Sequence, residues 1–311
     1  MIDVHRLRVL RAVAEHGSFN RAASALRLTP SAVSQHVAAL ERSLGAQVVA
    51  RSTRGVTLTR AGRVMVGAAE SVAAELEHAR RQVDRLAGGR TRITVATFTS
   101  GGRLLLPGAL ARLTAAHPDA EVHIREAEPE ASLPLVRQGA VDAALAYRFD
   151  GPLPGRVGAD HGLEWTGLME DPLHVVLPEG HPLAGRGALD PAELAGEPWV
   201  LGCLKTEAFL RRYAAQAGFE PEIRGSTTDY FFARSLVAAG MGISLVPSIA
   251  LTPDIPGLCT VPIAEPAPAR HFGVAALAHI DLPHVRTLVH ALQEEAARTH
   301  GERARHTVGD E

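Results

Sequence analysis

Residues 18–45 read SFNRAASALRLTPSAVSQHVAALERSLG, and this stretch decides the fold of the N-terminal part of the chain. Ser18 can cap a short helix, in which apolar positions recur at the three- and four-residue spacing of one helix face. Thr29 then stands where a second helix needs an N-cap, and Pro30 occupies its first helical position, where a missing N–H costs nothing. Two small helices joined by about four residues are typical of a helix-turn-helix.

A further helix precedes this pair, and two short strands come after it. Asp3 can cap the first helix, whose apolar residues have a helical spacing up to Gly17. Residues 47–49 and 56–58 are mostly apolar and flank a basic tip at 51–55. The pattern predicts a winged helix-turn-helix over residues 1–58.

Residues 59–89 continue as one long helix. Its apolar residues form a narrow seam of three- and four-residue spacings, namely Val64, Ala68, Val72, Leu76, Ala79, Val83 and Leu86. A helix of this length extends about 40 Å, enough to hold two DNA-reading modules apart. We interpret it as a dimerisation helix that ends at Gly88-Gly89; a helix packed on its own domain is the alternative.

The remaining residues alternate strands and helices, which predicts an α/β fold with largely parallel sheets. The predicted strands are Ile93–Phe98, Val122–Glu126, Ala143–Ala146, His174–Leu177, Trp199–Leu201, Ile223–Gly225 and Ile243–Val246. Helices are expected near 104–116, 132–138, 207–217 and 229–239, with a last helix from Pro283 to about Thr299. Residues 299–311 are polar and predict a disordered tail.

The charge distribution separates the two halves of the chain. Residues 1–90 contain 14 arginines and 7 acidic residues, a balance of +7, whereas residues 91–311 contain 18 basic and 27 acidic residues, a balance of −9. A basic block joined to an acidic remainder indicates that the first part contacts a polyanion. No apolar run approaches the roughly 20 residues of a membrane span, and the N-terminus does not resemble a signal peptide, so we expect a cytoplasmic protein.

Several classes of site are absent from the sequence. The two cysteines, Cys203 and Cys259, give neither a disulfide framework nor a zinc-ligand spacing, and the fifteen histidines are scattered. The α/β half has no nucleophile elbow, phosphate-binding glycine loop or cluster of metal ligands. We therefore expect no cofactor, no metal and no enzymatic activity.

Five segments resemble the LysR-type transcriptional regulators: residues 19–23, 28–37, 40–45, 54–62 and, far downstream, 236–247 (LVAAGMGISLVP). The likeness extends to about residue 298. It implies an α+β multidomain protein with a winged helix-turn-helix, a long linker helix and a two-lobed sensor like the periplasmic binding proteins. It also implies a homodimer or tetramer that binds an interrupted palindrome in double-stranded DNA and responds to a small-molecule effector.

The second helix of the helix-turn-helix, which starts at Pro30, is expected to read base edges in the major groove. Its outward residues in the first two turns are Thr29, Pro30, Ser31, Ser34 and Gln35. Gln35 suits a bidentate contact to adenine, Ser34 can bond several bases, and Pro30 can contact a thymine methyl group. Family members often carry arginine at the Gln35 position, so we expect the base preference of this chain to differ from theirs.

Two arginines of the wing complete the predicted DNA interface. Arg51 suits a phosphate contact, and Arg54 suits insertion into a narrow minor groove. His36 is not assigned a base.

The resemblance places residues 90–298 in the sensor, with lobe I at about 90–165 and 268–298 and lobe II at about 166–267. Crossing strands between the lobes are expected near 163–170 and 262–271. Ligands in such folds lie at strand ends, where helix N-termini offer unpaired N–H groups.

The effector site is predicted from the residues that come directly after the strands. Ser100 falls on a position whose hydroxyl often binds the effector in this family, commonly a small carboxylate; a plain helix cap is the alternative. The other predicted effector-binding residues are Thr99, Tyr147, Gly202, Cys203, Thr228 and Asp229. Pro129 stands where the family usually has Ser or Thr, so a hydrogen bond to the effector is expected to be missing. Its neighbours Glu128 and Glu130 are acidic, which makes a carboxylate effector less expected.

Three other protein classes are weaker interpretations. A solute-binding transport component shares the sensor fold but needs a signal peptide and has no use for a helix-turn-helix. A purely architectural DNA binder has no use for the sensor. An enzyme would need a catalytic motif, and the α/β half of the sequence contains none. Redox sensing through Cys203 requires a second nearby cysteine, whereas Cys259 lies 56 residues away.

Overall fold

Three helices and a two-stranded wing form the N-terminal module in the computed structural model, which describes residues 2–52, 55–86, 91–149, 156–157, 162–278 and 282–308. The elements are α1 Val4–His16, α2 Phe19–Leu26, α3 Pro30–Leu44, β1 Val49–Ser52 and β2 Gly55–Leu58. The two strands are antiparallel, as a wing requires.

Helix ends in this module lie where the sequence predicts them. The Asp3 side chain accepts a hydrogen bond from the N–H two residues on, and Thr29 accepts one from the N–H three residues on. Ser18 has the extended backbone of an N-cap but makes no cap bond through its side chain. Gly17 and Gly45 end α1 and α3 at φ of 59° and 65°, the left-handed region that favours glycine.

The wing is fixed to α3 and to the next helix along the chain. Glu41 on α3 accepts a hydrogen bond from the N–H of Val48 at 2.9 Å. A Cβ at Gly62 would collide with the backbone carbonyl of Val48, so only glycine allows α4 (Arg60–Leu86) to start this close to the wing. These contacts position α3 rigidly relative to the wing.

The sensor consists of two lobes, and one long strand is shared between them. The sensor's elements are β3 Thr91–Thr97, α5 Thr99–Ala116, β4 Ala120–Glu126, α6 Pro129–Arg137, β5 Ala143–Arg148, β6 Arg156–Val157, β7 Leu163–Pro178, β8 Pro198–Leu201, α7 Leu204–Gln216, β9 Glu222–Ser226, α8 Tyr230–Ala238, β10 Ser244–Pro247, β11 Leu258–Pro262, β12 Ala269–Leu277 and α9 Pro283–Val308. The shared strand is β7; the second crossing strand expected near 262–271 is interrupted, because β11 ends at Pro262 and β12 starts at Ala269. Short 3₁₀ turns lie at Pro191–Leu194 and Ser248–Ala250. No helix within the described residues has the length and apolarity that a membrane span needs.

Lobe I is built on three parallel strands, with β3 between β4 and β5. Helices α5 and α9 pack together on its sheet through a buried apolar cluster. The carboxylate of Glu295 on α9 is also buried there, and it accepts hydrogen bonds from Arg112 of α5 and Arg298 of α9. Lobe II has a parallel β8–β9 pair and a separate apolar cluster.

Strand β7 belongs to both lobes. Its 16 residues pair first with β12 in lobe I and then with β10 and β11 in lobe II. One continuous eight-stranded sheet therefore connects the lobes. Its register shifts once along the β7–β12 pair, where Phe272 faces Met169 and Gly273 faces Gly167.

The expectation of largely parallel sheets is wrong. Among the described residues, only the β3–β4, β3–β5 and β8–β9 strand pairs are parallel, because every strand that pairs with β7 is antiparallel to it and β12 is also antiparallel to β5. Helix α5 starts at Thr99, not near 104, since the ring of Phe98 packs where a Cβ at Gly101 would lie. Helix α9 continues to Val308 in place of the expected tail, through a segment (302–305) of good helix formers.

Candidate DNA interface and effector cleft

Helix α3 presents the predicted DNA-reading residues on the outside of the N-terminal module. Thr29, Pro30, Ser31 and Gln35 are exposed, and Ser34 is half-buried. The hydroxyls of Thr29 and Ser31 lie 3.0 Å apart at the start of the helix. The apolar side of α3 faces the core, which leaves its first two turns open to a major groove.

The neighbouring residues divide between packing and the wing. The ring of His36 is half-buried and lies edge-to-face on the ring of His5, with the centroids 4.6 Å apart, so it packs against α1. Arg51 lies on β1 opposite Val56, next to the last strand pair, Ser52 with Gly55, and therefore toward the tip of the wing. Arg54, predicted to enter the minor groove, lies outside the described residues, as does Gly88-Gly89.

One face of α4 carries a row of exposed apolar side chains. Val64, Leu76 and Val83 are 64%, 57% and 62% exposed. Ala69 and other apolar residues on the opposite face are packed against the N-terminal module. The helix therefore packs on its own domain and still presents its seam outward, where apolar rows of this kind mark contact surfaces.

The predicted effector residues meet between the lobes. Thr99 and Ser100 begin α5 in lobe I, and Thr228 and Asp229 precede α8 in lobe II. The same small cavity is lined by Phe98, Thr99, Ser100, Glu128, Tyr147, Cys203, Thr228, Asp229, Tyr230, Phe231 and Arg270. Of the predicted residues, only Gly202 is outside this lining; a Cβ there would collide with the Tyr230 ring.

Ser100 is not the cap of α5. The N-cap position is Phe98, which makes no cap bond through its side chain, and Ser100 lies in the first turn. The Ser100 hydroxyl is buried and accepts a hydrogen bond from Nη2 of Arg270 at 3.4 Å. Thr99 instead donates to Glu126 at 2.7 Å and is exposed.

Tyr147 connects both sides of the cleft. Its hydroxyl donates to Glu128 of lobe I at 2.9 Å and lies 3.7 Å from the Cys203 sulfur of lobe II. Cys203 is buried at the N-cap of α7. Glu128, the residue before Pro129, is the N-cap residue of α6 and brings its carboxylate to the phenol.

Asp229 and Thr227 organise the start of α8. Asp229 caps the helix by accepting from the N–H of Phe231 at 2.8 Å. The Thr227 hydroxyl lies 2.8 Å from the backbone carbonyl of Asp229 and 3.0 Å from that of Leu201. The loop before α8 is thereby tied to the end of β8.

A buried ion pair at the base of the cleft is not predictable from the sequence pattern. Arg270 on β12 donates to Asp171 on β7 at 2.7 Å, and both side chains are at most 1% exposed. The guanidinium carbon lies between 4.8 and 5.6 Å from the centroids of four aromatic rings, those of Phe98, Tyr147, Tyr230 and Phe272. Such contacts stabilise a cation away from water.

The electrostatics keep these groups in defined protonation states. Burial raises the pKa of Tyr147 above its usual range, and the nearby Cys203 and Glu128 add to the shift. Burial raises the pKa of Tyr230 to about 12. Burial alone would lower the pKa of Arg270, but Asp171 outweighs it and raises that pKa. At neutral pH both phenols are protonated and the guanidinium is charged.

Lys205 closes the mouth of the cleft. It lies on α7 of lobe II, and its ammonium forms ion pairs with Glu130 and, at 3.8 Å, with Glu128, both from lobe I. The ammonium also lies 5.2 Å from the centroid of the Tyr147 ring. Burial lowers the pKa of Lys205, and Glu128 partly opposes the shift.

The side chains of the protein fill most of the cleft. The remaining cavity is about 20 Å³, room for about one water molecule. A much larger hollow of about 1110 Å³ lies between α4 and the outer edge strand β4 of lobe I. Its walls are outer surfaces that carry many charged side chains, so we place the candidate ligand site in the cleft.

The residues that the sequence pattern misses share one property: their partners are distant in sequence. Asp171 and Arg270 are 99 residues apart and lie in strands that the sequence indicates only as crossings. Lys205 offers a signal, because it is the only lysine among 32 basic residues. The sequence shows Glu128 and Glu130 close together. It does not indicate that the ammonium of Lys205, which is distant in sequence, pairs with both.

Comparison with known proteins places both modules in one family. Residues 4–63 match the family described as bacterial regulatory helix-turn-helix protein, lysR family. Residues 86–297 match the LysR substrate binding domain.

Individual relatives agree with this match. The chain is 31% identical over 279 residues to a probable hydrogen peroxide-inducible genes activator of Mycobacterium avium, covering 86% of each protein. It is 27% identical over 283 residues to the DNA-binding transcriptional dual regulator OxyR of Escherichia coli K12, covering 88% of each.

Solved structures share the fold over nearly the whole chain. A cysteine variant of Corynebacterium glutamicum OxyR is 26% identical with a TM-score of 0.56, covering 96% of this chain and 94% of that one. Full-length BenM is 23% identical with a TM-score of 0.58, covering 96% and 98%. Members of this family are transcriptional regulators, not enzymes. The chain belongs to the LysR family of DNA-binding transcriptional regulators, with a helix-turn-helix module and a two-lobed substrate-binding domain.

Proposed function

We propose that a small molecule entering the cleft between the lobes changes how this regulator binds its promoter. The observation that carries the proposal is the convergence of the uncapped start of α5, the start of α7 and the start of α8 on one cavity lined from both lobes. Helix N-termini offer N–H groups to a ligand, and a ligand touching both lobes has differential affinity for their open and closed arrangements.

The effector-binding residues in this proposal are Thr99, Ser100, Tyr147, Cys203, Thr228 and Asp229, with Gly202 providing close packing. Arg270 joins them because its guanidinium lines the cavity. The DNA-binding residues are Thr29, Pro30, Ser31, Ser34 and Gln35 on α3, with Arg51 and Arg54 of the wing contacting the DNA backbone and minor groove.

The assembly is argued from the exposed seam of α4. Two such helices packed along Val64, Leu76 and Val83 bury the seam and hold two α3 helices apart, which suits an interrupted palindrome. We propose a homodimer on this seam and a tetramer made of two such dimers. The domain division is 1–58, 59–89 and 90–298, and we propose a cytoplasmic protein without catalytic activity or cofactor.

Peroxide is a second candidate input, because several relatives are named peroxide-inducible activators. The two cysteines here are free and belong to different apolar clusters: Cys203 to the cluster of lobe I and the cleft, Cys259 to the edge of the lobe II cluster. A disulfide needs Cα atoms within about 7 Å, so a Cys203–Cys259 switch would require rearranging lobe II. This separation favours a metabolite over a disulfide.

The test is a screen of metabolites against the full-length protein by thermal shift, followed by fluorescence anisotropy on promoter DNA. A true effector raises the melting temperature and changes DNA affinity, and both responses weaken when Ser100 is replaced by alanine. Hydrogen peroxide is included, with Cys203→Ser as the matched variant. If no compound in the screen changes DNA affinity, or if only peroxide does and Cys203→Ser abolishes it, the proposal of a bound metabolite fails.

A further inference from the structure

The contact between Lys205 and the two glutamates joins elements that otherwise belong to different lobes. Lys205 is at the start of α7, whereas Glu128 and Glu130 flank the start of α6. Its side chain is 22% exposed, compared with 43% for Glu128 and 71% for Glu130. The Lys205 side chain is thus the most buried of the three at the cleft mouth.

Glu128 connects this ion pair to the interior. The same carboxylate oxygen that lies 3.8 Å from the Lys205 ammonium accepts the Tyr147 hydroxyl at 2.9 Å. Tyr147 in turn contacts the sulfur of Cys203 at 3.7 Å. Opening the mouth therefore separates Lys205 from Glu128 and uncovers Tyr147 and Cys203 in the same movement.

We propose that Lys205 is an internal occupant of the cleft, an autoinhibitory contact that holds the lobes together and that a ligand must displace. It rests on the proposed function in one respect, that ligands enter between these lobes. The site beneath Lys205 consists of two carboxylates and an aromatic face, which is the chemistry that binds an ammonium. A ligand with an ammonium group replaces Lys205 at these partners, whereas a carboxylate ligand does not.

The reactivity of Cys203 measures this opening without any effector or DNA. In a Cys259→Ser background of the full-length protein, Cys203 is the only thiol, and its alkylation by iodoacetamide is timed under native conditions. Lys205→Met keeps the apolar stem and removes the charge. We expect it to raise the alkylation rate of Cys203 roughly three- to tenfold, the range for losing a partly exposed charged contact.

Two features make a rise in the Cys203 alkylation rate specific for opening of the cleft mouth. Loss of a nearby positive charge disfavours the thiolate and slows alkylation, so electrostatics alone gives the opposite sign. Arg211→Met is the matched control, because Arg211 is on the same helix but pairs with Glu207 and Glu220 inside lobe II. An equal rise in both variants, or none in Lys205→Met, overturns the proposal.

Chemical rescue tests the chemistry of the vacated position. In Lys205→Ala, which removes the stem, n-butylammonium chloride is expected to return the Cys203 alkylation rate toward that of the parent. Sodium butyrate at the same ionic strength is expected to have no effect. Equal protection by both salts, or by neither, overturns the assignment of an ammonium site. Because no effector is used, a negative result here leaves the outcome of the metabolite screen standing.

Discussion

Arg270 and Asp171 are direct cross-strand partners on β12 and β7, and their side chains form an ion pair that is almost completely buried at the base of the cleft. Asp171 also accepts the N–H of Ile249 at 2.9 Å, which ties the 3₁₀ turn of lobe II to the same point. Strand β7, which connects the lobes, is thus joined to β12 by charge as well as by backbone hydrogen bonds.

Asp171→Asn is expected to destabilise the sensor strongly. It leaves the Arg270 guanidinium buried without a counter-charge, which costs about 3–5 kcal/mol. Urea unfolding followed by tryptophan fluorescence measures the loss. The double variant Asp171→Leu with Arg270→Met removes both charges and is expected to recover most of the stability; a single variant as stable as the parent contradicts the argument.

Ser100→Ala is expected to lower effector affinity roughly 5- to 100-fold, the range for one buried hydrogen bond to a neutral or charged partner. Ser100 makes no cap bond, and the one hydrogen bond that it accepts, from Arg270 at 3.4 Å, is long, so the melting temperature of the variant should fall only slightly. Titration calorimetry with the effector from the screen measures the affinity. Ser132→Ala is the matched control, because that buried hydroxyl on α6 has no hydrogen-bond partner among the described residues. Unchanged affinity in Ser100→Ala removes the residue from the site.

Gln35→Ala and Arg51→Ala are expected to act differently on DNA binding. Loss of Gln35 flattens discrimination at one position of each half-site by about 1–3 kcal/mol. Loss of Arg51 weakens all sequences about equally and reduces the salt dependence of binding. Anisotropy titrations against operator variants at several salt concentrations separate the two. Equal loss on all sequences for Gln35→Ala would show that it does not read a base.

Leu76→Glu is expected to shift the protein toward monomer. The side chain is 57% exposed in the single chain and lies on the seam, so in a dimer the new charge is buried against the partner helix. Sedimentation velocity measures the change, and binding to a full palindrome should weaken far more than binding to a half-site. Glu75→Gln, one residue away and off the seam, serves as the control. An unchanged sedimentation coefficient places the dimer contact elsewhere.

Glu295→Gln is expected to lower the free energy of unfolding at neutral pH. The variant should then lose less stability than the parent protein as the pH falls. Burial alone would raise the pKa of Glu295, but hydrogen bonds from Arg298 and Arg112 outweigh it and lower that pKa. The stabilisation is therefore present above the unfolded pKa, near about 4.3, and is lost as pH falls through the folded pKa. We expect a loss of about 1–3 kcal/mol at pH 7. Melting curves from pH 7 to 3 measure it, with the half-exposed Glu294→Gln as a control expected to lose less than about 1 kcal/mol.

Local signals are sufficient for the N-terminal module. Helix caps at Asp3 and Thr29 and stops at Gly17 and Gly45 act within a few residues, so their effect is visible in sequence. The seam of α4 is visible for the same reason, since a helical period needs no distant partner. The sensor strands are located only approximately, because β7 and β12 owe their length and direction to pairing with segments about 100 residues away.

The cleft shows the same limit. Ser100 and Asp229 are predictable because they follow a strand or precede a helix, a position that sequence reveals. Arg270 is not, because only the fold brings it beside Asp171. The sequence shows Pro129 where the family usually has Ser or Thr, and this predicts the loss of a hydrogen bond to the ligand. The hydrogen bond from Tyr147 to Glu128 is not visible in the sequence, because it depends on α6 starting three residues earlier than expected.

The register shift between β7 and β12 affects how the lobes can move. β7 passes from one lobe to the other without a loop. A hinge often consists of a few loop residues that absorb a large rotation, and β7 contains no such residues. The irregular point lies where Gly167 faces Gly273, and a Cβ at 273 would collide with the ring of Trp165. We therefore expect the lobes to rotate by a small torsion that is spread along β7 and centred on these two glycines, and not by a wide opening about a loop.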